Sequence, residues 1–300
     1  MPKKKMNCFQ AAKDAGINKS SLLKFSRIAK KASVLGGNVL MDYYGNLKNI
    51  NNKGRIGDLV TDADIESERV VINFLKKEIP EISILAEESG QIGKEEDLCW
   101  CLDPLDGTTN FAHGYPFFAT SIGLTWKNIP VLGSIAIPFF DEIYWGAPGI
   151  GVFCNNEPIK VSSSKLLKDS LLVTGFAYDR CTTKDNNYAE FCSLTHRTRG
   201  VRRGGAAAVD LAFLACGRLD GYWERGLSKW DLAAGISLVE MAGGMISNYP
   251  NGDFELASGR VLATSPGIHE ELLQELSKVI PLGGDTYGAP EIDGMTTTKK

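Results

Sequence analysis

One short segment, Cys99–Phe111 (CWCLDPLDGTTNF), limits the folds open to this chain more than any other. An apolar stretch typical of a buried strand runs directly into Asp103 and Asp106. Pro104 fixes one backbone φ angle and Gly107 permits a tight bend, so both carboxylates can turn toward the same point. The segment therefore predicts a buried strand that ends in converging acidic side chains.

Converging carboxylates at a strand end are typical of a cation site. Asp103, Asp106 and the main-chain carbonyl of Leu105 form the oxygen-only ligand set that a hard divalent cation such as Mg²⁺ prefers. An Asx-turn is the alternative, because D-x-x-D-G is common in loops. We favour the cation site, since acidic side chains seldom cluster at the end of a buried strand without a cation.

Three further acidic segments could contribute to the same site. Glu87 and Glu88 follow another apolar strand, although adjacent glutamates are often simply solvated. Asp231 lies in the first turn of a predicted helix and could equally cap it. Asp62 and Asp64 begin another predicted helix, and either could cap that helix or face the same pocket.

The spacing of apolar residues predicts two α/β halves with different patterns. Residues 1–19 have no sustained period, so we expect an N-terminal extension that frays. Residues 20–150 predict two helices followed by short neighbouring strands, hence an α+β half with a largely antiparallel sheet. In residues 151–280 strands alternate with helices, which indicates an α/β half that completes the site. Residues 281–300 are rich in glycine and threonine and are expected to form a disordered tail.

Composition argues against several functional classes. The 33 basic and 36 acidic residues give a net charge of −3, without the basic excess of a nucleic-acid-binding protein. No apolar run reaches the roughly 18 residues of a membrane span, and no secretory signal is expected. Seven cysteines, an odd number, are typical of reduced thiols in a cytoplasmic chain. Three separated histidines and the lack of a CxxC pair argue against a zinc site, so carboxylates should hold any metal.

Taken together, the motifs resemble one family. The motifs at 87–88 (EE), 103–111 (DPLDGTTNF) and 230–235 (WDLAAG) occur in the order and approximate spacing of inositol monophosphatases. This family is a lithium-sensitive, magnesium-dependent group of sugar-phosphate phosphatases. The resemblance runs from about Ser20 to Val279, and the two longer motifs are specific.

Two longer segments are similar to particular branches of the family. Residues 200–227 resemble bacterial and chloroplast members, and residues 100–116 resemble plastid and cyanobacterial members. The resemblance implies the sugar-phosphatase fold, a layered α/β sandwich with the order α-β-α-β-α. Because relatives are generally homodimers, it also implies a homodimer.

The resemblance implies two Mg²⁺ sites built from acidic side chains and one carbonyl: Glu87, Asp103, Leu105, Asp106 and Asp231. Glu87, Asp103 and the Leu105 carbonyl would hold the first ion. Asp103, Asp106 and Asp231 would hold the second. A third, loosely held ion would contact Glu87.

Glu87, Thr108 and Asp64 are the catalytic residues that the resemblance implies. Glu87 and Thr108 would position and deprotonate the attacking water, while Asp64 would orient Thr108. Phosphate monoesters hydrolyse slowly because water is a poor nucleophile and negative charge accumulates at phosphorus. Two cations about 3.5–4 Å apart counter both difficulties. Lys53 falls in the segment that forms a flexible loop over the site in relatives.

The resemblance also implies a set of substrate contacts: Asp106, Gly107, Thr108, Gly205, Ala206, Ala207, Glu224 and Asp231. The glycines and alanines at 204–207 open a predicted helix, whose free amides suit an anion or a sugar hydroxyl. Ala206 stands where many members carry Ser or Thr, which would remove one hydroxyl contact. Arg202 and Arg203, just before this segment, are interpreted as a surface or dimer-interface pair.

The sequence therefore predicts Mg²⁺-dependent hydrolysis of a small phosphorylated polyol or sugar, with inositol 1-phosphate as the favoured substrate. Fructose 1,6-bisphosphate, histidinol phosphate and 3′-phosphoadenosine 5′-phosphate stay open as alternatives. A regulatory binding protein on the same fold is an alternative of another class. It is disfavoured because every predicted ligand position keeps its acid. Neither a nucleic acid nor a membrane is expected as a partner.

Overall fold

Helices are interspersed with strands along the chain, and most of the strands form two large β-sheets. The computed structural model describes residues 7–54, 58–250 and 252–280, and the predicted tail at 281–300 lies outside this part. The described helices are α1 (Cys8–Asp14), α2 (Lys19–Tyr43), α3 (Asp62–Glu78), α4 (Thr108–Ala112), α5 (Tyr188–Thr195), α6 (Ala207–Ala215), α7 (Lys229–Met241) and α8 (His269–Ser277). The described strands are β1 (Ile50–Asn52), β2 (Leu59–Thr61), β3 (Ser83–Ala86), β4 (Gly90–Ile92), β5 (Leu98–Asp106), β6 (Ala119–Trp126), β7 (Ile129–Ile137), β8 (Glu142–Ala147), β9 (Gly151–Cys154), β10 (Glu157–Pro158), β11 (Leu171–Thr174), β12 (Gly200–Arg202), β13 (Gly221–Glu224), β14 (Met245–Ser247) and β15 (Val261–Thr264).

The larger sheet belongs to the first half of the chain. Its eight strands lie in the order β10-β9-β8-β7-β6-β5-β3-β4. Only β3 and β5 pair in parallel, so the prediction of a largely antiparallel first half is confirmed. The hairpin of β9 and β10 carries this sheet to Pro158, past the predicted limit at residue 150.

The smaller sheet belongs to the second half and mixes strand directions. Its five strands lie in the order β12-β11-β13-β15-β14. The first three are parallel, and β15 is antiparallel to both of its neighbours. Helices α5, α6, α7 and α8 are interspersed with these strands along the chain, so the predicted alternation is confirmed.

Shared hydrophobic cores arrange these elements in five layers. Leu75 of α3 packs in the same core as Trp100 of the larger sheet. Leu232 of α7 shares a second core with Tyr222 of the smaller sheet, so α6 and α7 lie between the two sheets. Leu272 of α8 belongs to a third core on the outer face of the smaller sheet. The α-β-α-β-α sandwich is confirmed. No helix in the described part of the chain has the length and apolar character needed to cross a bilayer.

The expectation that the N-terminal extension frays is wrong for residues 8–14, which form α1. Asn7 caps this helix by accepting a hydrogen bond from the backbone N–H of Gln10 (3.0 Å). Cys8 is fully buried, and its backbone N–H donates to Glu240 of α7 (2.8 Å). A helix of seven residues is too short to show a helical period. Its stability comes from contacts with distant parts of the chain.

Helix α7 lies directly on the larger sheet because two strands present glycine beneath it. A Cβ atom at Gly123 would approach the Cβ of Ala233 to 2.6 Å. A Cβ atom at Gly133 would approach the Cα of Ala234 to 2.5 Å. Because Asp231 lies in the first turn of α7, this close approach also fixes the position of that acid relative to the sheet.

Gly133→Ala is expected to lower the free energy of unfolding by about 1–3 kcal/mol, because the added methyl group must push the backbone of α7 away. Gly37→Ala in α2 is the matched control, since its Cβ would meet Pro138 at an ordinary 3.4 Å. That variant should keep or slightly raise stability, because alanine favours a helix. Urea denaturation measures both, and equal stabilities would contradict the close approach of α7.

Candidate active site

Strand β5 ends in a bulge that carries the two predicted acids. Asp103 lies opposite Ser121 of β6 and Asp106 lies opposite Ala119, with a register shift between the two pairs. The carbonyl of Pro104, inside the bulge, accepts hydrogen bonds from the hydroxyl groups of two buried side chains, Ser67 and Thr120 (3.0 Å each). The bulge is therefore held on both sides by buried contacts.

A cleft of about 410 Å³ opens at this end of β5. It is lined by predicted residues from both halves of the chain: Glu87, Asp103, Leu105, Asp106, Gly107, Thr108, Gly205, Ala206, Ala207, Glu224 and Asp231. Asp64, the remaining predicted residue, lies behind the cleft wall, in contact with Thr108. The fold thus gathers side chains that are up to 167 residues apart in sequence, from Asp64 to Asp231.

Hydrogen bonds tie Thr108 to the start of α3. The backbone N–H and the hydroxyl of Thr61 both donate to Asp64 Oδ2 (2.7 and 2.6 Å). The hydroxyl of Thr108 lies 3.1 Å from Asp64 Oδ1 and 3.0 Å from the Leu105 carbonyl, so two acceptors compete for its proton. Burial raises the pKa of Asp64 to about 6. Asp64 therefore both caps α3 and faces the site, which were alternatives from the sequence.

Two helix starts hold Asp106 and Asp231. The amides of Ala207 and Ala208 donate to the two carboxylate oxygens of Asp106 (3.1 and 2.7 Å). This corrects the expectation that the amides at the start of α6 are free for substrate, because a carboxylate at a helix N-terminus is favourable. Asp231 accepts from the backbone N–H of Ser228 (2.7 Å) in a capping box. It therefore caps α7 and lines the cleft at once.

The buried acids raise one another's pKa values. Burial, followed by the charges of Glu87, Asp106 and Asp231, raises the pKa of Asp103 well above its usual range. Burial and the charge of Glu87 do the same for Asp231. Burial raises the pKa of Asp106 to about 7, against the opposing effect of the α6 amides. Ionisation of these carboxyl groups is therefore unfavourable in the folded protein. A bound cation would make it favourable, because a nearby positive charge stabilises the carboxylate.

A lysine pairs with two partly buried acids at the cleft, Glu87 and its neighbour Glu88. The ammonium group of Lys53 lies 2.9 Å from Glu87 Oε1 and 2.5 Å from Glu88 Oε1. Glu68 supports the same turn, accepting from the backbone N–H of Glu88 (2.8 Å) and from the hydroxyl of Ser89. Lys53 follows β1, so the segment that the resemblance makes a flexible loop reaches the cleft.

The chemistry of these residues fits a hard divalent cation. Among the residues that the structure describes, no group of three Asp, Glu, His or Cys side chains is arranged to hold a metal ion as it stands. The acids are bonded to amides, a hydroxyl and Lys53 instead. The donor atoms are nevertheless all oxygen, which is the set that Mg²⁺ prefers. Asp103 and Asp106 are buried, Asp231 is half-buried, and all three have raised pKa values. The ligand assignment stays a prediction.

The structure adds residues that the sequence analysis did not assign to the cleft. Arg203, which the sequence indicated as a surface or interface residue, is exposed and also lines the cleft. Tyr222 donates to Glu224 (2.7 Å), and burial raises the pKa of Glu224 to about 7. Because Tyr222 and Glu224 are alternate residues of β13, their side chains share one face of the strand, and the sequence could have indicated this contact. No sequence signal marked the residues of the neighbouring loop: Phe176, Tyr178 and Arg180.

The fold and the cleft define a class of layered α/β proteins with an acidic cleft between two halves. The family model of the inositol monophosphatases matches residues 21–280, and the chain belongs to this family. The inositol-1-monophosphatase of Synechocystis is 51% identical over 86% of this chain and 90% of that protein. The structure of inositol monophosphatase from Anabaena (Nostoc) is similar with a TM-score of 0.80 at 50% identity, covering 87% of this chain and 98% of that chain. The Nus factor SuhB of Pseudomonas aeruginosa is 38% identical over 75% of this chain and 84% of that protein.

Asp103→Asn is expected to change stability in opposite directions with and without Mg²⁺. In protein without added Mg²⁺ at neutral pH it should raise the free energy of unfolding, because folding opposes the ionised form of Asp103, whose pKa is raised, whereas asparagine has no charge and keeps an acceptor for the Leu105 amide. It should also remove most of the stabilisation that Mg²⁺ gives to the wild type. Thermal unfolding measures both effects. Asp42→Asn, at an exposed position of α2, should change neither. A variant that behaves like this control would remove Asp103 from the site.

The stability of the metal-free protein is expected to fall as pH rises from about 4 to about 7. Carboxyl groups in the unfolded chain have pKa values near 4, whereas folding raises that of Asp106 to about 7 and that of Asp64 to about 6. Over this interval the folded protein binds more protons than the unfolded chain, so raising the pH favours unfolding. The gain in Tm from saturating Mg²⁺ should therefore grow over the same interval, and a constant gain would contradict the raised pKa values.

Proposed function

We propose that this protein catalyses the Mg²⁺-dependent hydrolysis of a phosphate monoester, specifically of inositol 1-phosphate to myo-inositol and phosphate. The observation that carries the proposal is the meeting of Glu87, Asp103, Asp106, Asp231 and Thr108 in one cleft of a chain that belongs to the inositol monophosphatase family.

The proposed ligands of two Mg²⁺ ions are Glu87, Asp103, Asp106, Asp231 and the Leu105 carbonyl, with a third ion near Glu87. Bound there, the ions would neutralise the phosphate oxygens and lower the pKa of the attacking water. The mutual repulsion of the buried carboxyl groups supports this assignment.

Side chains of the protein position the attacking water and remove its proton. Glu87 and Thr108 position the attacking water, and the hydroxyl of Thr108 takes a proton from it while passing its own proton to Asp64 Oδ1. The contact of 3.1 Å between these two groups supports the transfer. Asp64 is suited to the role, because a buried carboxylate with a pKa of about 6 accepts a proton more readily than an exposed one.

The main-chain amides of Gly107 and Thr108 are proposed to hold the phosphate. Gly107 has a positive φ of 89°. A Cβ atom there would lie 2.9 Å from the Phe117 carbonyl and 3.1 Å from the Ala206 Cβ. Only glycine fits this position, and its lack of a side chain lets the phosphate approach the backbone closely.

The alcohol side of the cleft is proposed to bind the polyol through Asp106, Glu224, Gly205 and Ala206. The predicted contact at Ala207 is not included, because its amide donates to Asp106. Ala206 offers no hydroxyl group, so one contact of many relatives is missing. Arg180 and Arg203 line the same cleft and favour substrates with a second anionic group. Fructose 1,6-bisphosphate and 3′-phosphoadenosine 5′-phosphate are therefore the second candidates, ahead of histidinol phosphate.

The proposal also covers the localisation, the oligomeric state and the inhibition of the enzyme. Family resemblance supports a cytoplasmic homodimer that is inhibited by lithium. A regulatory binding role is the alternative of another class, since the matched relatives include proteins named Nus factor SuhB. The full set of cleft acids favours catalysis over binding alone.

The purified protein, assayed against these phosphate esters with and without Mg²⁺, is expected to turn over inositol 1-phosphate with the highest kcat/KM and only when Mg²⁺ is present. Thr108→Val should lower kcat by about 10²–10⁴-fold, because the water loses its path to Asp64. Thr108→Ser, which keeps the hydroxyl group, is the matched control and should stay close to the wild type. A better bisphosphate substrate would replace the named substrate but not the reaction. An absence of turnover with every ester would overturn the proposal.

A further inference from the structure

Strand β5 lines a second cleft, nearer its start than the acidic one. This cleft has a volume of about 500 Å³, and two cysteines, Cys99 and Cys101, both line it. They are alternate residues of β5, so their side chains project from the same face of the sheet. Cys101 is buried and Cys99 is half-buried. Neither has a part in the proposed hydrolysis.

The two thiols differ in acidity. The Cys101 thiol lowers the pKa of Cys99 to about 6, whereas the Cys99 thiol and burial raise the pKa of Cys101 well above its usual range. Cys99 is therefore the thiol that ionises first, and Cys101 must give up its proton when it binds an ion. The acidic residues at the rim of the cleft, Glu95, Glu96 and Asp97, outnumber the two lysines that also line it. The rim therefore carries a small net negative charge, while the ammonium group of Lys229 lowers the pKa of the Cys101 thiol and so favours its ionised form.

A disulfide does not fit this pair. Alternate residues of a strand lie about 6.6 Å apart, with their Cβ atoms pointing the same way. A disulfide needs Cβ atoms about 3.8 Å apart. Strand β5 could close that gap only by deforming, and it is held by β3 on one side and β6 on the other. Two sulfur atoms that bind the same ion at about 2.3 Å can instead lie roughly 3.8–4.6 Å from each other.

We infer that Cys99 and Cys101 bind one soft cation of the Cu(I) type through their two sulfur atoms. Thiolate ligands select soft ions over Mg²⁺. A structural Zn²⁺ site needs four ligands, and among residues 7–54, 58–250 and 252–280 no set of three acidic, His or Cys side chains is arranged for a metal. A soft monovalent ion needs only two sulfur ligands. The inference is independent of the phosphate chemistry.

The test is a titration of the reduced full-length protein with Cu(I), under anaerobic conditions and in competition with a chromophoric Cu(I) chelator. The wild type should withdraw one equivalent from the chelator. Cys99→Ser and Cys101→Ser should each weaken this binding at least tenfold. Cys192→Ser is the control, because Cys192 is exposed on α5, away from the second cleft, and that variant should bind like the wild type.

Two further measurements make the outcome decisive. Thermal unfolding of each variant checks the fold, and Cys99→Ser carries the test if the buried Cys101 variant unfolds. Asp103→Asn should bind Cu(I) like the wild type, which separates this site from the acidic cleft. Unchanged Cu(I) binding by Cys99→Ser, or an equal loss in Cys192→Ser, would overturn the inference.

Discussion

The repulsion among carboxyl groups at the end of β5 is the constraint on which the rest of the structure depends. Two like charges about 4 Å apart cost about 4 kcal/mol at an effective dielectric of 20, and a domain is stable by only about 5–15 kcal/mol. The fold therefore surrounds these acids with donors. The start of α6 supplies two amides to Asp106, the start of α7 supplies one to Asp231, and Lys53 faces Glu87.

These donors explain why both halves of the chain are needed for one cleft. The first half holds Asp103 and Asp106, whereas α6 and α7 belong to the second. The glycines of β6 and β7 let α7 lie against the larger sheet, so Asp231 is fixed by backbone packing. Each acid accepts a hydrogen bond from its own donor, yet the pKa values of Asp103, Asp106 and Asp231 stay raised. The donors therefore do not fully compensate the negative charge, and this uncompensated charge supports a cation site.

Local sequence predicted the parts of the site that depend on local geometry. The convergence of Asp103 and Asp106 on one cleft could be predicted, because the proline and the glycine beside them bend the chain. Contacts between distant segments could not be read in this way. The amides of Ala207 and Ala208 are taken by an acid about a hundred residues earlier. Helix α1 depends in the same way on Glu240, which is 232 residues from Cys8.

The bulge in β5 brings Asp106 to the strand face that Asp103 already shares with Cys99 and Cys101. In a regular strand, residues three apart point to opposite faces, so Asp103 and Asp106 could not line the same cleft. The extra residue between them reverses the alternation. Before the bulge the alternation is regular, and Cys99 and Cys101 share a face with Asp103. Oxygen and sulfur donors therefore follow one another along a single strand face, and the preference of hard ions for oxygen and of soft ions for sulfur keeps their ligands separate.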